Sequence, residues 1–83
     1  MPVRHDLDHL YRNPNTATFD VLVAAAEERG WVFKRSRSSH HIFEKPGFRD
    51  HLSIVKTNRA RPGTVRNAIK TMMTAETAEG DRQ

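Results

Sequence analysis

The chain has no cysteine. Disulfides and thiolate metal sites are therefore excluded. It has no apolar run long enough to cross a bilayer and no signal-peptide pattern at its start. Those two absences predict a cytoplasmic protein with no membrane partner. Aromatic residues are scarce, with one Trp, one Tyr and four Phe in 83 residues. A chain of that length predicts one small domain with a thin, two-layer core and no large buried pocket.

Acidic residues are scarce in the middle of the chain. Ten basic residues fall between Gly30 and Lys70 against two acidic ones, Glu44 and Asp50, so this segment carries +8. The remainder carries −4, which leaves the net +4 of the whole chain. A concentrated basic field points to a polyanionic partner, either nucleic acid or an acidic protein.

Periodicity divides the chain into an arm, a domain and a tail. Residues 1–16 are polar and hold Pro2 and Pro14, and read as a flexible N-terminal arm. Within it Asp6 to Tyr11 can form a short helix that Asn13-Pro14-Asn15 ends. His5 and His9 lie four apart, a metal-chelating spacing if helical, but a solvated arm is the simpler reading and no metal or cofactor is expected. Residues 18–29 predict a helix, because Phe19, Leu22, Val23 and Ala26 form one apolar stripe. Thr16 or Thr18 can cap its start, and Gly30 suits the position after its last turn. Residues 31–36, 39–45 and 51–56 predict three strands of an antiparallel meander, with turns near Arg37-Ser38 and Pro46-Gly47. Leu52 and Ile54 would share one face of the third strand. Pro62-Gly63-Thr64 opens a last helix with Val65, Ala68, Ile69 and Met72 as its stripe. Residues 75–83 show no apolar periodicity and read as a disordered tail. The domain, residues 17–74, is then α+β: helix, three-stranded antiparallel sheet, helix. Both helices cover one face and leave the other open.

Chemistry concentrates in Ser38-Ser39-His40-His41-Ile42-Phe43. Histidine can give and take a proton near neutral pH, and its neighbours here are basic. RNA is cleaved without a metal when a base takes the 2′-hydroxyl proton, that oxygen attacks phosphorus, and an acid protonates the leaving 5′-oxygen. His40 or His41 can carry a proton. Lys34, Arg35 and Arg37 can stabilise the extra negative charge, and Ser39 can hydrogen-bond a phosphate oxygen. Neighbours on a strand point to opposite faces. His40 therefore sides with Ile42, and His41 with Phe43, the bulkier core candidate, which leaves His40 on the open face. His51 is a third candidate whose reach depends on register. Arg59, Arg61 and Arg66 flank a helix start, where exposed N–H groups favour an anion. Simple capping by Thr64 is the competing reading there.

Gly30-Trp31, then Ser39-His40-His41-Ile42-Phe43, then Arg61-Pro62-Gly63-Thr64-Val65-Arg66 resembles the HicA family of bacterial toxins. The hallmark of that family is Gly-Ser-His-x-x-Phe/Tyr on the second strand, followed by a Pro-Gly-Thr-Leu-Arg-like helix opening. The resemblance spans roughly residues 18–73. It implies a fold like that of double-stranded-RNA-binding domains, a ribonuclease that cuts mRNA, and a HicB-type antitoxin partner. It also implies that His40, directly after the serine, is the catalytic histidine. Ser38 stands where the family has glycine, at a position where an unusual backbone angle would favour glycine. Val55-Lys56-Thr57 stands where the family often has a Pro-x-His-like segment. Two activities fit these residues: a metal-independent mRNA endoribonuclease using His40 as general acid or base, or a non-catalytic RNA-binding module of the same fold.

Overall fold

The computed structural model of the protein describes residues 4–57 and 61–80. Helix α1 spans Leu7–Arg12 and is followed by a single 3₁₀ turn at Pro14–Thr16. Helix α2 spans Phe19–Glu28, strands β1, β2 and β3 span Val32–Arg37, His40–Glu44 and Leu52–Val55, and helix α3 spans Pro62–Gly80. The strands form an antiparallel sheet in the order β1-β2-β3. This is the expected helix, three-stranded sheet and helix.

Local chemistry sets the boundaries. Thr18 caps α2 by accepting from the Val21 N–H at 3.3 Å. At the other end Trp31 N–H reaches the Ala26 carbonyl at 3.0 Å and Gly30 N–H reaches the Glu27 carbonyl at 3.1 Å. Gly30 sits between them at φ 90°. This paired closure satisfies the last carbonyls and drops Trp31 into the core, where it is 2% exposed. The turn between β2 and β3 closes when Phe48 N–H reaches the Lys45 carbonyl at 3.0 Å, with Gly47 at φ 85° after Pro46. That is the pattern of a type II turn.

Helices α2 and α3 lie on one side of the sheet, and their contacts with it concentrate on β3. Leu22, Ala25 and Ala26 of α2 and Val65, Ala68, Ile69 and Met72 of α3 pack with Phe43, Leu52 and Ile54. Strand β1 is left at an uncovered edge. Its residues are all exposed, Val32 and Phe33 by about half.

Both termini depart from expectation. Residues 4–16 are not a flexible arm: Asp6 caps α1 by accepting from Asp8 and His9 N–H groups, and Leu7 and Leu10 are buried in the core. The short helix expected at Asp6 to Tyr11 does form, but two apolar residues one turn apart give too short a stripe to show that it docks in the core. The tail also differs, since α3 continues to Gly80 and Ala75 is 1% exposed. Ala75 continues the Ala68, Met72 ridge, but its small side chain carries little hydropathy signal.

Arg29 ties these ends together. Its side chain is nearly buried and donates to Glu76 Oε1 on α3, to the His5 carbonyl, and to the Ala25 carbonyl at 3.0 Å. Glu28 beside it accepts from the His5 N–H and pairs with His5 Nδ1, each at 2.8 Å. His5 is thus engaged with a carboxylate, and no metal-binding group of His and acidic side chains occurs among the described residues.

Three outcomes test this account. Leu10→Ala is expected to cost about 2–5 kcal/mol in urea unfolding, the range for a buried leucine; a flexible arm would show no change. Ser38 connects β1 to β2 at φ 57°. A non-glycine residue there costs roughly 1–2 kcal/mol, partly offset by the roughly 0.4–1 kcal/mol that glycine adds to unfolded-chain freedom. Ser38→Gly should therefore stabilise the fold modestly and raise Tm. The backbone N–H of His5, bonding to the carboxylate, holds the Glu28 pKa below its ordinary value. A depressed carboxylate pKa contributes stability above the unfolded pKa and loses it as pH falls through the folded one. Glu28→Gln should be less stable than wild type at neutral pH, and the two unfolding curves should converge in acid.

Candidate functional site

The hairpin of β1 and β2 builds the site. Arg37 stands opposite His40, and the loop between them is Ser38-Ser39. A two-residue loop with positive φ at its first position has the signature of a type II′ connection, whose first central residue is normally glycine. The register shifts between Phe33 and Arg35, so Lys34 is an extra residue in β1. Phe33 pairs with Phe43 before the bulge, and Arg35 pairs with Ile42 after it. An unbroken ladder would have set Arg35 opposite His41, on the helix side. The bulge instead turns Arg35 and Arg37 to the same face as Ile42 and His40.

That face points away from the helices. Cross-strand partners share a face, and β3 offers Val55 opposite His40 and Ser53 opposite Ile42. His40 Nδ1 lies 3.2 Å from Ser53 Oγ, a diagonal contact across β2 and β3. When Nδ1–H donates this bond, Nε2 keeps its lone pair; when the serine hydroxyl donates, Nε2 carries the proton. His40 is exposed. It joins Arg35, Arg37, Ser38 and Ile42 in lining a shallow depression. Neither arginine forms an ion pair among the described residues. An imidazole with a free ring nitrogen, open to solvent beside two unpaired guanidinium groups, can exchange protons with a bound phosphate ester.

The other candidates scatter. His41 falls on the helix side, its ring edge-on to Phe19 with centroids 4.9 Å apart and tilted toward Phe33 at 5.9 Å. Its Nδ1 is buried with no hydrogen-bond partner among the described residues. It packs, and does not reach the His40 depression. Ser39 is in the turn, exposed, with its carbonyl accepting from Lys56 N–H at 2.8 Å. Lys34, the bulge residue, lines a different depression with Phe48 and Arg49. His51 lines that same depression. Extending the β2–β3 register by one step puts His51 beside Glu44, four residues along from His40. Arg61 is exposed, and its carbonyl accepts the first helical bond of α3, from Val65 N–H at 3.0 Å. Arg66 donates to the Tyr11 carbonyl at 3.0 Å and sits over the Tyr11 ring at 5.4 Å. It holds α1 to α3 and is not part of the open face. Arg59 lies outside the described residues.

Ser53 is the group the sequence reading missed. Its signal was available in the alternation of β3: Leu52 and Ile54 face the core, so Ser53 and Val55 must face His40. Only the register then shows that Ser53 reaches the imidazole.

No helix among the described residues is long and apolar enough to cross a membrane. Neither a curated protein nor a solved structure matches the chain. A family model, described as the HicA toxin of bacterial toxin-antitoxin, matches residues 19–72. The match begins at the first residue of α2 and runs through the hairpin into α3, so it contains the depression around His40 and leaves out α1. A family of this kind implies an antitoxin that pairs with the toxin. The chain belongs to the HicA family, the toxins of bacterial toxin–antitoxin systems.

Proposed function

We propose that the protein is a metal-independent mRNA endoribonuclease of the cytoplasm, with His40 as its proton-transfer group and a HicB-type antitoxin as its partner. One observation carries this reading: the hallmark histidine of the family lies on the open sheet face, bonded to Ser53 and flanked by Arg35 and Arg37.

In this mechanism a phosphodiester binds over the depression with its non-bridging oxygens toward Arg35 and Arg37. The His40 Nε2 lone pair removes the proton of the adjacent 2′-hydroxyl. The 2′-oxygen attacks phosphorus, the bond from phosphorus to the 5′-oxygen breaks, and a 2′,3′-cyclic phosphate forms. The leaving 5′-oxygen takes its proton from the imidazolium of His40 or from water. Ser53 is a positioning residue, because its hydroxyl fixes the ring through Nδ1. The guanidinium groups offset the negative charge that builds up on the phosphoryl oxygens in the transition state.

His40→Ala should lower RNA cleavage in the presence of a chelator by about 10²–10⁴-fold, the usual contribution of a positioned acid or base. Its unfolding curve should overlay that of wild type, since His40 is exposed. Expression of wild type, but not of His40→Ala, should slow growth. Undiminished cleavage by the variant would remove His40 from the mechanism. RNA binding with no cleavage at any enzyme concentration would assign the fold to a non-catalytic RNA-binding module.

A further inference from the structure

The open face of the sheet carries a second depression. It is lined by Val32, Pro46 and Phe48 as apolar walls and by Lys34, Arg49 and His51 as polar ones, with Glu44 and Lys45 beside them. Val32 pairs with Glu44 across β1 and β2 on the face that holds His40. Glu44 is four residues along β2 from His40, which at the strand rise of about 3.3 Å per residue is about 13 Å. The two depressions therefore lie along one strand, on one face, with Ile42 between them.

We propose that this second depression is a subsite for a nucleotide flanking the one at His40, so that a single strand of RNA lies along the open face from Arg37 to Arg49. The inference rests on the reading of His40 as the RNA-cleaving group and extends it to the substrate's path. Charge complementarity is the first support. Lys34, Arg35, Arg37 and Arg49 all face this track or its ends, and none of the four forms an ion pair among the described residues. Among the described residues, Glu44 is the only acidic side chain lining either depression.

The second support is an aromatic wall. Phe48 packs edge-on against buried Trp31, with centroids 5.8 Å apart, so its position is fixed by the core. A partly exposed aromatic side chain held rigidly in a cationic depression is a stacking platform of the kind that single-stranded RNA uses. The bulge adds a third support, since it brings Lys34 to one depression and Arg35 and Arg37 to the other. A double helix fits less well. It needs a broad basic surface matched to duplex shape, whereas the cations here line two depressions set along one strand, with Glu44 beside one of them.

The test holds RNA uncut by using the full chain with His40→Ala. Fluorescence anisotropy of a labelled single-stranded RNA dodecamer is measured across a salt series for three proteins. These are His40→Ala alone, the same chain with Lys34→Ala and Arg49→Ala, and the same chain with Arg35→Ala and Arg37→Ala. All five positions changed in these proteins are exposed, and equal Tm values confirm intact folds. Removing Lys34 and Arg49 should weaken dodecamer binding about tenfold and reduce the salt slope by about 1.4, which is two phosphate contacts at roughly 0.7 each for a single strand. Phe48→Ala should weaken it further, while a duplex of the same sequence should bind less tightly than the single strand. If Lys34 and Arg49 can be removed with less than twofold effect while Arg35 and Arg37 cannot, the subsite is wrong and the His40 depression stands. If neither pair matters, both readings fall. RNA affinity that is unchanged while antitoxin binding is lost would assign the second depression to the protein partner and overturn the proposal.

Discussion

The site depends on a single irregularity, the extra residue in β1 at Lys34. Side chains on a strand alternate with a period of two, so adding one residue exchanges the faces of everything beyond it. Before the bulge, Phe33 meets Phe43 on the helix side, with rings 5.6 Å apart. After it, Arg35 and Arg37 meet Ile42 and His40 on the open side. The same six-residue strand thus contributes an aromatic ring to one layer and two cations to the other. Without the bulge, Arg35 would point toward the helices, and His40 would face Ser36 in place of Arg37.

The helix layer makes this open face possible by concentrating its packing elsewhere. Helices α2 and α3 press on β3, whose Leu52 and Ile54 are fully buried. Nothing comparable covers β1. Among the described residues, those outside the family match reinforce the helix side. Leu7 and Leu10 extend the core, and Arg29 fastens residue 5 and the last turns of α3 to the end of α2. A nearly buried guanidinium is stable only when its donors are satisfied, and here two carbonyls and a carboxylate do so. The sheet's other face takes no part in this network and stays available to a ligand.

Much of the fold was legible because it rests on periodicity. The stripes of α2 and α3 and the alternation of Leu52 and Ile54 each mark a buried face. The same alternation separated His40 from His41 before any contact was known, and the ring of His41 against Phe19 is its consequence. What stayed hidden depended on register or on distant partners. The bulge leaves no mark in composition, so Lys34, Arg35 and Arg37 looked like one cluster and are in fact divided between two depressions. Arg66 looked like a phosphate ligand because a basic residue near a helix start attracts anions, but Tyr11 occupies it, and the short helix that carries Tyr11 gave no sign in sequence of docking on α3. Ser38 was legible in the opposite sense. A serine in the glycine position of the family motif keeps the left-handed backbone, so the turn geometry prevails over the side chain's preference.

The charge of the open face argues against a purely structural role. Arg35 and Arg37 are two residues apart on one strand face, a spacing of about 6.6 Å. Their like charges repel one another, and neither has an ion-pair partner among the described residues. Among the described residues, no acidic side chain lines the depression they share with His40. The chain has carboxylates to spare, but Asp8, Glu28 and Glu76 are paired with cations on the helix side. The face is therefore in an unfavourable electrostatic state that an anion would relieve, and the relief is greatest for an anion that spans both arginines. A phosphodiester has two non-bridging oxygens with which to do this, and the histidine beside the arginines already has its ring held by Ser53.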